Sequence, residues 1–233
     1  MVTSYCGMRK ISIGPDAKGL TRMLPNNQFV FHNGLLDQGF WPDGIYTAPS
    51  DEALRFELEM TRAHGFNMTR KHIKVEPDRW YYWADKLGVL EWQDIPCAHG
   101  LSNTRMFEGI SSAERHDQFE LELRRMIRGR INHPCIVMWV VFNEDWGMKL
   151  AQGTPEIPSD TSRILVKRMT NATRTEDPTR LINHDSGASG ATWQGLNPWA
   201  YSLPRTRPRL SNSLPTRPNF GPLYSTSKRL KPV

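Results

Sequence analysis

Apolar residues up to about Thr192 recur with two spacings, one typical of strands and one typical of helices. Short runs of strand length, each with apolar positions, occupy residues 29–36, 66–73, 89–94, 135–142 and 180–183. A segment with helical spacing lies between each run and the next. Strands that alternate with helices in this way predict an α/β fold with parallel strands and crossover helices. The pattern contains four such strand–helix units and the start of a fifth.

The first helix has clear signals at both ends. Ser50 is a good N-cap, and two acidic residues follow it in the first turn. Gly65 stands where a glycine commonly ends a helix. One apolar face of this helix is predicted to consist of Ala53, Phe56, Met60 and Ala63.

The later helices are bounded by proline and glycine. Pro77 can open the second helix and Gly88 can end it. The third is predicted over residues 112–128, and Pro178 closes the fourth. The buried face of the third helix is predicted to contain Phe119, Leu123, Met126 and Ile127.

The fourth strand, residues 135–142, is apolar throughout, as expected for a parallel strand that is covered on both faces. It is followed directly by Asn143 and Glu144. In a (β/α)8 barrel, active sites lie at the carboxyl ends of the strands. The sequence therefore indicates a chemically active amide and carboxyl at this position.

Four motifs carry a family resemblance. The first runs from His133-Pro134 through Trp139 to Asn143-Glu144, and the others lie at 36–44, 65–72 and 92–96. Together they resemble glycoside hydrolase family 2, from about Tyr5 to Gly190. The resemblance implies an incomplete TIM (β/α)8 barrel of about strands 1–5, taken from a retaining β-glycosidase that hydrolyses O-glycosyl bonds.

The resemblance also implies roles for individual residues. Glu144 would be the catalytic acid/base, and Asn143 would bind the sugar 2-hydroxyl. The other implied substrate-binding residues are Arg70, His72, Asp94, Trp92 and Trp146. His72 departs from the better-known branch of the family, which has Arg-x-x-His where this chain has Arg-x-His. The alternative is structural: Arg70 and His72 as a hydrogen-bonded network inside the barrel, and the tryptophans as core.

The second carboxylate of a retaining glycosidase is predicted to be missing. In the family this nucleophile follows strand seven, whereas the sequence has no acidic residue after Asp185. The chain alone is therefore expected to be inactive. Half a barrel also exposes two sheet edges, so self-association is expected.

Three segments are predicted: residues 1–25, a remnant of a preceding β-sandwich domain or linker; 26–192, the barrel half; and 193–233, a basic, proline-rich tail that is disordered or non-native. The chain has 30 basic and 24 acidic residues, and the basic excess belongs to the tail. The abrupt change near Thr192 is interpreted as a frameshift or an incorrect gene end.

Other classes of function find little support. The sequence contains no signal peptide and no apolar run of membrane-spanning length, and it leaves the localisation open. Neither the 3 cysteines nor the 7 histidines show metal-ligand spacing, so no metal or cofactor is predicted. The expected partner is a β-glycoside or oligosaccharide. Alternatives are a non-catalytic carbohydrate-binding remnant and, more weakly, a nucleic-acid binder, since the tail lacks interleaved aromatics.

Overall fold

The computed structural model describes residues 4–96, 112–144, 150–151, 154–158 and 160–186. Trp146 and the predicted tail lie outside these residues. In chain order the described elements are β1 Ile11–Pro15, β2 Thr21–Pro25, β3 Gly34–Asp37, α1 Asp51–Ala63, β4 Met68–Lys71, α2 Asp78–Leu87, β5 Leu90–Asp94, α3 Ser112–Arg130, β6 Ile136–Val140, β7 Leu150–Ala151, β8 Thr154–Pro158, α4 Asp160–Glu176 and β9 Leu181–Asn183.

Five of these strands form one parallel sheet in the order β3-β4-β5-β6-β9. Each helix connects one strand to its neighbour, as in a barrel built from consecutive strand–helix units. The predicted α/β architecture of an incomplete barrel is therefore confirmed. Two antiparallel pairs, β1 with β2 and β7 with β8, lie outside this sheet.

The first barrel strand begins later than predicted. It was expected over residues 29–36, whereas β3 covers Gly34–Asp37. The reason lies in Asn67, whose side-chain amide donates to the carbonyl of Phe31 and accepts from the backbone N–H of Asn33. These side-chain bonds replace the regular ladder, so the residues before Gly34 leave the sheet.

The buried face of α1 was also predicted wrongly. Ser50 caps the helix as expected, because its side chain accepts from Ala53 N at 3.2 Å. The buried residues, however, are Leu54, Leu58 and Thr61, while Phe56 is 61% exposed. The helix carries two apolar stripes, and packing against the sheet selects the one that the spacing argument left out.

The core has two layers, one on each face of the sheet. The larger layer lies between the sheet and the helices and includes Trp80, Tyr81 and Trp139, all fully buried. The smaller layer lies on the inner face, where Ile11 of the β1–β2 hairpin packs with Met138 and neighbouring side chains. Strand β6 supplies residues to both layers, so its side chains are buried on both faces of the sheet, and this is why the strand is apolar throughout.

One edge of the sheet is apolar and open within the described residues. β3 pairs with β4 on one side only, and an open groove beside it is lined by Leu35, Leu36, Met60 and Phe66. Leu35 is 41% exposed and Leu36 is 59% exposed. An unpaired strand edge next to exposed apolar side chains is a template for association.

We expect the chain to self-associate through this edge. Light scattering after gel filtration should give a mass that rises with protein concentration. The variant Leu36→Lys/Met60→Lys places charge in this groove and should shift the chain towards the monomer. Leu121→Lys changes a residue on α3 that is similarly exposed, at 41%, and should leave the mass unchanged. A wild-type chain that stays monomeric at every concentration would contradict this expectation.

Candidate active site

Three polar side chains converge where strands β4, β5 and β6 end. Arg70 of β4 forms a two-pronged ion pair with Asp94 of β5, with Nε–Oδ1 and Nη2–Oδ2 distances of 2.9 Å. The Nη2 of Arg70 also donates to Oδ1 of Asn143 at 2.8 Å. Asn143 lies just beyond β6. Parallel pairing thus brings together three of the predicted site residues.

The carboxamide of Asn143 is held in one orientation. The side chain is 2% exposed, and its oxygen accepts from Arg70, which can only donate. This assigns the oxygen to Arg70 and leaves Nδ2 as the free end. Nδ2 is buried and has no hydrogen-bond partner among the described residues. A buried donor without a partner is costly unless a ligand satisfies it.

Glu144, next to this amide, has an exposed side chain and an unusual backbone. Its φ is 53°, in the left-handed region that non-glycine residues seldom adopt. Its backbone N–H donates to the carbonyl of Ser186 at 2.8 Å. Strained backbone at a strand end is a recurring feature of functional sites and persists only where neighbouring contacts enforce it.

Ser186 is a site residue that the sequence analysis missed. It lies just after β9 and bridges to Asn143 in parallel fashion, and its hydroxyl accepts from Arg70 Nη1 at 2.7 Å. Its position after the fifth strand could have suggested it, since it shares the sheet edge with Asn143. Nothing in its local sequence indicates the contact with Arg70, which is 116 positions away.

Asp94 contacts Arg70 rather than open solvent. Its side chain is 2% exposed and, besides Arg70, accepts from the backbone N–H of Ile73 at 3.1 Å. Burial raises the pKa of Asp94, and the neighbouring Arg70 opposes that shift. Asp94 therefore orients Arg70 and is not itself positioned to meet a substrate.

Trp92 lies in the barrel interior. Its Nε1 donates to Nδ1 of His32 at 3.0 Å, and its ring packs against the layer that the β1–β2 hairpin covers. Burial lowers the pKa of His32 to about 4, which keeps that ring neutral and able to accept. These contacts are those of a core residue, the alternative that the sequence had left open.

His72 contacts Gln38 and also acts electrostatically on Asp94, where it opposes the rise that burial causes in the pKa of that carboxyl. The side chain of His72 is 8% exposed, and its Nδ1 lies 3.0 Å from Nε2 of Gln38. Trp146 lies outside the described residues. Among the predicted substrate-binding residues, the structure therefore brings Arg70, Asp94 and Asn143 together next to Glu144, with His72 near Asp94, and pairs Trp92 with His32.

Two negative findings apply to the described part of the chain. It contains no cluster of three or more histidine, cysteine or acidic side chains suited to a metal ion. None of its helices combines the length and the apolar character that a membrane crossing would need.

The family follows from one comparison. The model of the family described as "Glycosyl hydrolases family 2, TIM barrel domain" matches residues 48–210, well over half of the chain. The chain belongs to this family. The match confirms the family resemblance carried by the sequence motifs and agrees with the five-stranded parallel sheet. It also makes this chain a family 2 barrel domain with the Asn143-Glu144 pair at the end of its fourth barrel strand.

Individual relatives agree with the family. A β-glucuronidase of Bacteroides fragilis is 27% identical over 160 residues, which is 64% of this chain and 21% of that protein. A β-galactosidase of Lactococcus lactis is 27% identical over 144 residues, or 61% of this chain and 14% of that protein. The family 2 domain described here thus spans about a fifth or less of these two relatives.

Solved structures show the same fold. The β-glucuronidase of Parabacteroides merdae, solved with glycerol in its active site, superposes with a TM-score of 0.60 at 22% identity. The match covers 76% of this family 2 chain and 20% of the P. merdae chain. At this identity the likeness supports the incomplete barrel and not a particular substrate.

Proposed function

We propose that this chain carries the acid/base half of a retaining β-glycosidase site. In this proposal Glu144 protonates the glycosidic oxygen as the bond breaks and later activates a water molecule. Asn143 donates its free N–H to the sugar 2-hydroxyl, an interaction that strengthens in the transition state. The substrate class is a β-glycoside or an oligosaccharide with a β-linked terminal sugar.

The free amide nitrogen of Asn143 is the observation that carries the proposal. It is a buried donor with no partner among the described residues, and it adjoins an exposed carboxyl at the end of a barrel strand. A sugar hydroxyl would satisfy that donor and place the adjacent glycosidic bond near Glu144. Asp94 orients Arg70, and Arg70 in turn holds the amide of Asn143, so neither residue needs direct contact with substrate.

Hydrolysis needs a second carboxylate, which this chain does not supply in the expected place. In retaining enzymes the two carboxyl groups stand about 5 Å apart, and the second attacks the sugar carbon. No acidic residue follows Asp185 in the sequence. We propose that the chain alone binds β-glycosides without hydrolysing them.

The second candidate function is carbohydrate binding without any catalysis. The missing acidic residue downstream favours it, because a binding remnant needs Asn143 and Arg70 but has no use for an acid/base. The two candidate functions predict different results when an external nucleophile is added: in the acid/base half-site Glu144 assists the reaction, and in the binding remnant it does not.

The test uses nitrophenyl β-glucuronide and nitrophenyl β-galactoside with the full chain. Calorimetry should show binding, and no nitrophenol should be released in buffer alone. Azide, added as an external nucleophile, should attack the anomeric carbon and displace the aryl group, which leaves with the electron pair of the glycosidic bond. The matching phenyl glycosides have a poor leaving group that needs the proton of Glu144, so Glu144→Gln should lower their azide-dependent rate by about 100-fold or more, the usual size of an acid–base contribution. Nitrophenolate leaves without that proton, so the rate with the nitrophenyl glycosides should change much less.

The outcomes separate the alternatives. Binding without azide-dependent release in the wild type would favour the carbohydrate-binding remnant. Release in buffer alone, lost in Glu144→Gln, would show a complete enzyme and overturn the missing nucleophile. Asn143→Ala should weaken binding about tenfold, the worth of one good hydrogen bond. Asn171→Ala, an exposed amide on α4, is the matched control.

A further inference from the structure

Ser186, which lies just beyond β9, holds the Asn143-Glu144 segment through backbone hydrogen bonds on both sides of Asn143. The backbone N–H of Ser186 donates to the carbonyl of Phe142 at 2.9 Å, and its carbonyl accepts from Glu144 N at 2.8 Å. Both neighbours of Asn143 are therefore tied to Ser186. Any residue other than proline could make these two backbone bonds.

The side chain of Ser186 makes a third contact that most residues could not make. Its Oγ accepts from Arg70 Nη1 at 2.7 Å. Asp94 holds the opposite edge of the same guanidinium through Nε and Nη2. A planar group that is held at one edge can still tilt about that edge, whereas a group held at both ends cannot.

The tilt matters because Arg70 Nη2 also determines the orientation of Asn143. That nitrogen donates to Asn143 Oδ1 at 2.8 Å, and the amide oxygen of Asn143 has no other hydrogen-bond donor among the described contacts. If the guanidinium tilts about the edge that Asp94 holds, Nη2 stays in place but its second N–H bond turns away from Oδ1. The hydrogen bond to Asn143 then weakens, and the free Nδ2 is less firmly oriented. The hydroxyl of Ser186 therefore acts on Asn143 through Arg70.

We infer that Ser186 is a positioning residue of the glycosidase site. Its hydroxyl immobilises Arg70 so that the amide of Asn143 presents its N–H to the substrate 2-hydroxyl. This role rests on the proposed function as far as the substrate is concerned. The hold of Ser186 on Arg70 is a property of the chain itself and can be measured without substrate.

The substitution Ser186→Ala isolates the hydroxyl, since it keeps both backbone bonds. Nuclear magnetic resonance should show that solvent exchange of the Arg70 Nη1 protons rises about tenfold in this variant, as expected for one lost hydrogen bond. Ser186→Thr keeps the hydroxyl and should restore slow exchange. Ser12→Ala removes a serine hydroxyl from β1 and should leave Arg70 unchanged.

A second measurement distinguishes positioning from general damage. Binding of a methyl β-glycoside should weaken about five- to tenfold in Ser186→Ala, which is part or all of one hydrogen bond. Binding of the matching 2-deoxy glycoside should stay as in the wild type, because that ligand has no hydroxyl for Asn143 to meet. Ser186→Thr should behave as the wild type with both ligands.

Several results would overturn the inference. Unchanged Arg70 exchange in Ser186→Ala removes its basis, and equal weakening for both ligands indicates a structural defect instead. If the wild-type chain binds neither glycoside, the proposed function fails. The solvent exchange of the Arg70 Nη1 protons then tests the positioning role without substrate. Faster exchange in Ser186→Ala supports the contact between Ser186 and Arg70, and unchanged exchange refutes it.

Discussion

Replacing Arg70 with methionine is expected to lower the free energy of unfolding by about 3–5 kcal/mol, the usual cost of removing one partner of a buried ion pair. The side chain of Asp94 is 2% exposed, and without Arg70 its remaining hydrogen bond among the described residues is the one from the N–H of Ile73. A carboxylate left in that position is neither solvated nor neutralised. Urea denaturation of the full chain, followed by tryptophan fluorescence, measures the loss.

Two control variants show whether the loss of stability comes from the buried charge of Asp94. Arg79→Met breaks an ion pair with Asp51 of the same two-pronged geometry, but the two side chains are 56% and 37% exposed. It should cost about 1 kcal/mol or less, as surface pairs do. Arg70→Met/Asp94→Asn removes the stranded charge and should recover most of the loss. If Arg70→Met costs no more than Arg79→Met, the buried network does not stabilise the fold.

Raising the pH from 5 to 9 is expected to destabilise the chain through Glu57 of α1. Burial, followed by the neighbouring Asp37 carboxylate, raises the pKa of Glu57 to about 8, and the nearby Lys71 opposes this shift. In the unfolded chain a glutamate has a pKa of about 4.3. Between these values only the folded state keeps the proton, so stability is greatest at low pH and falls as pH rises towards 8.

The expected loss attributable to Glu57 is about 2–4 kcal/mol, given about 1.36 kcal/mol for each unit of pKa difference. Urea denaturation at pH 5 and pH 9 measures it as the difference between the wild type and Glu57→Gln. The amide cannot ionise, so this variant should be more stable than the wild type at pH 9. Glu52→Gln, an exposed change on the same helix, should keep the wild-type pH dependence. A parallel loss in Glu57→Gln would contradict the assignment.

The parts of the fold that could be predicted are those where the apolar pattern fits only one arrangement of buried residues. The run 135–142 has no polar residue, so only a strand covered on both faces accommodates it, and all eight residues are buried. On α3 the predicted face of Phe119, Leu123, Met126 and Ile127 is the buried one. Helix α1 offered two apolar stripes, and spacing alone could not choose between them.

Much of the candidate site was predictable from where the strands run. Asp94 and Asn143 stand at or just beyond the end of a predicted strand, Arg70 lies within the predicted strand 66–73, and parallel pairing brings the three together. Ser186 was missed because its contact depends on the register between β6 and β9, which no local pattern encodes. The family resemblance made Trp92 a candidate substrate-binding residue with core packing as the alternative, and its hydrogen-bond partner His32, 60 positions away, could not be read from the local sequence.

The β1–β2 hairpin bears on where this domain can be cut. Ile11, with Ile13 and Met23 beside it, covers Val137, Met138 and Val140 on the concave side of the sheet. A recombinant protein that starts at the predicted boundary, residue 26, would lack this hairpin and expose the inner-face side chains of β6 to water. A piece of this chain that keeps its inner core layer therefore begins upstream of Ile11, although the four family motifs all lie later.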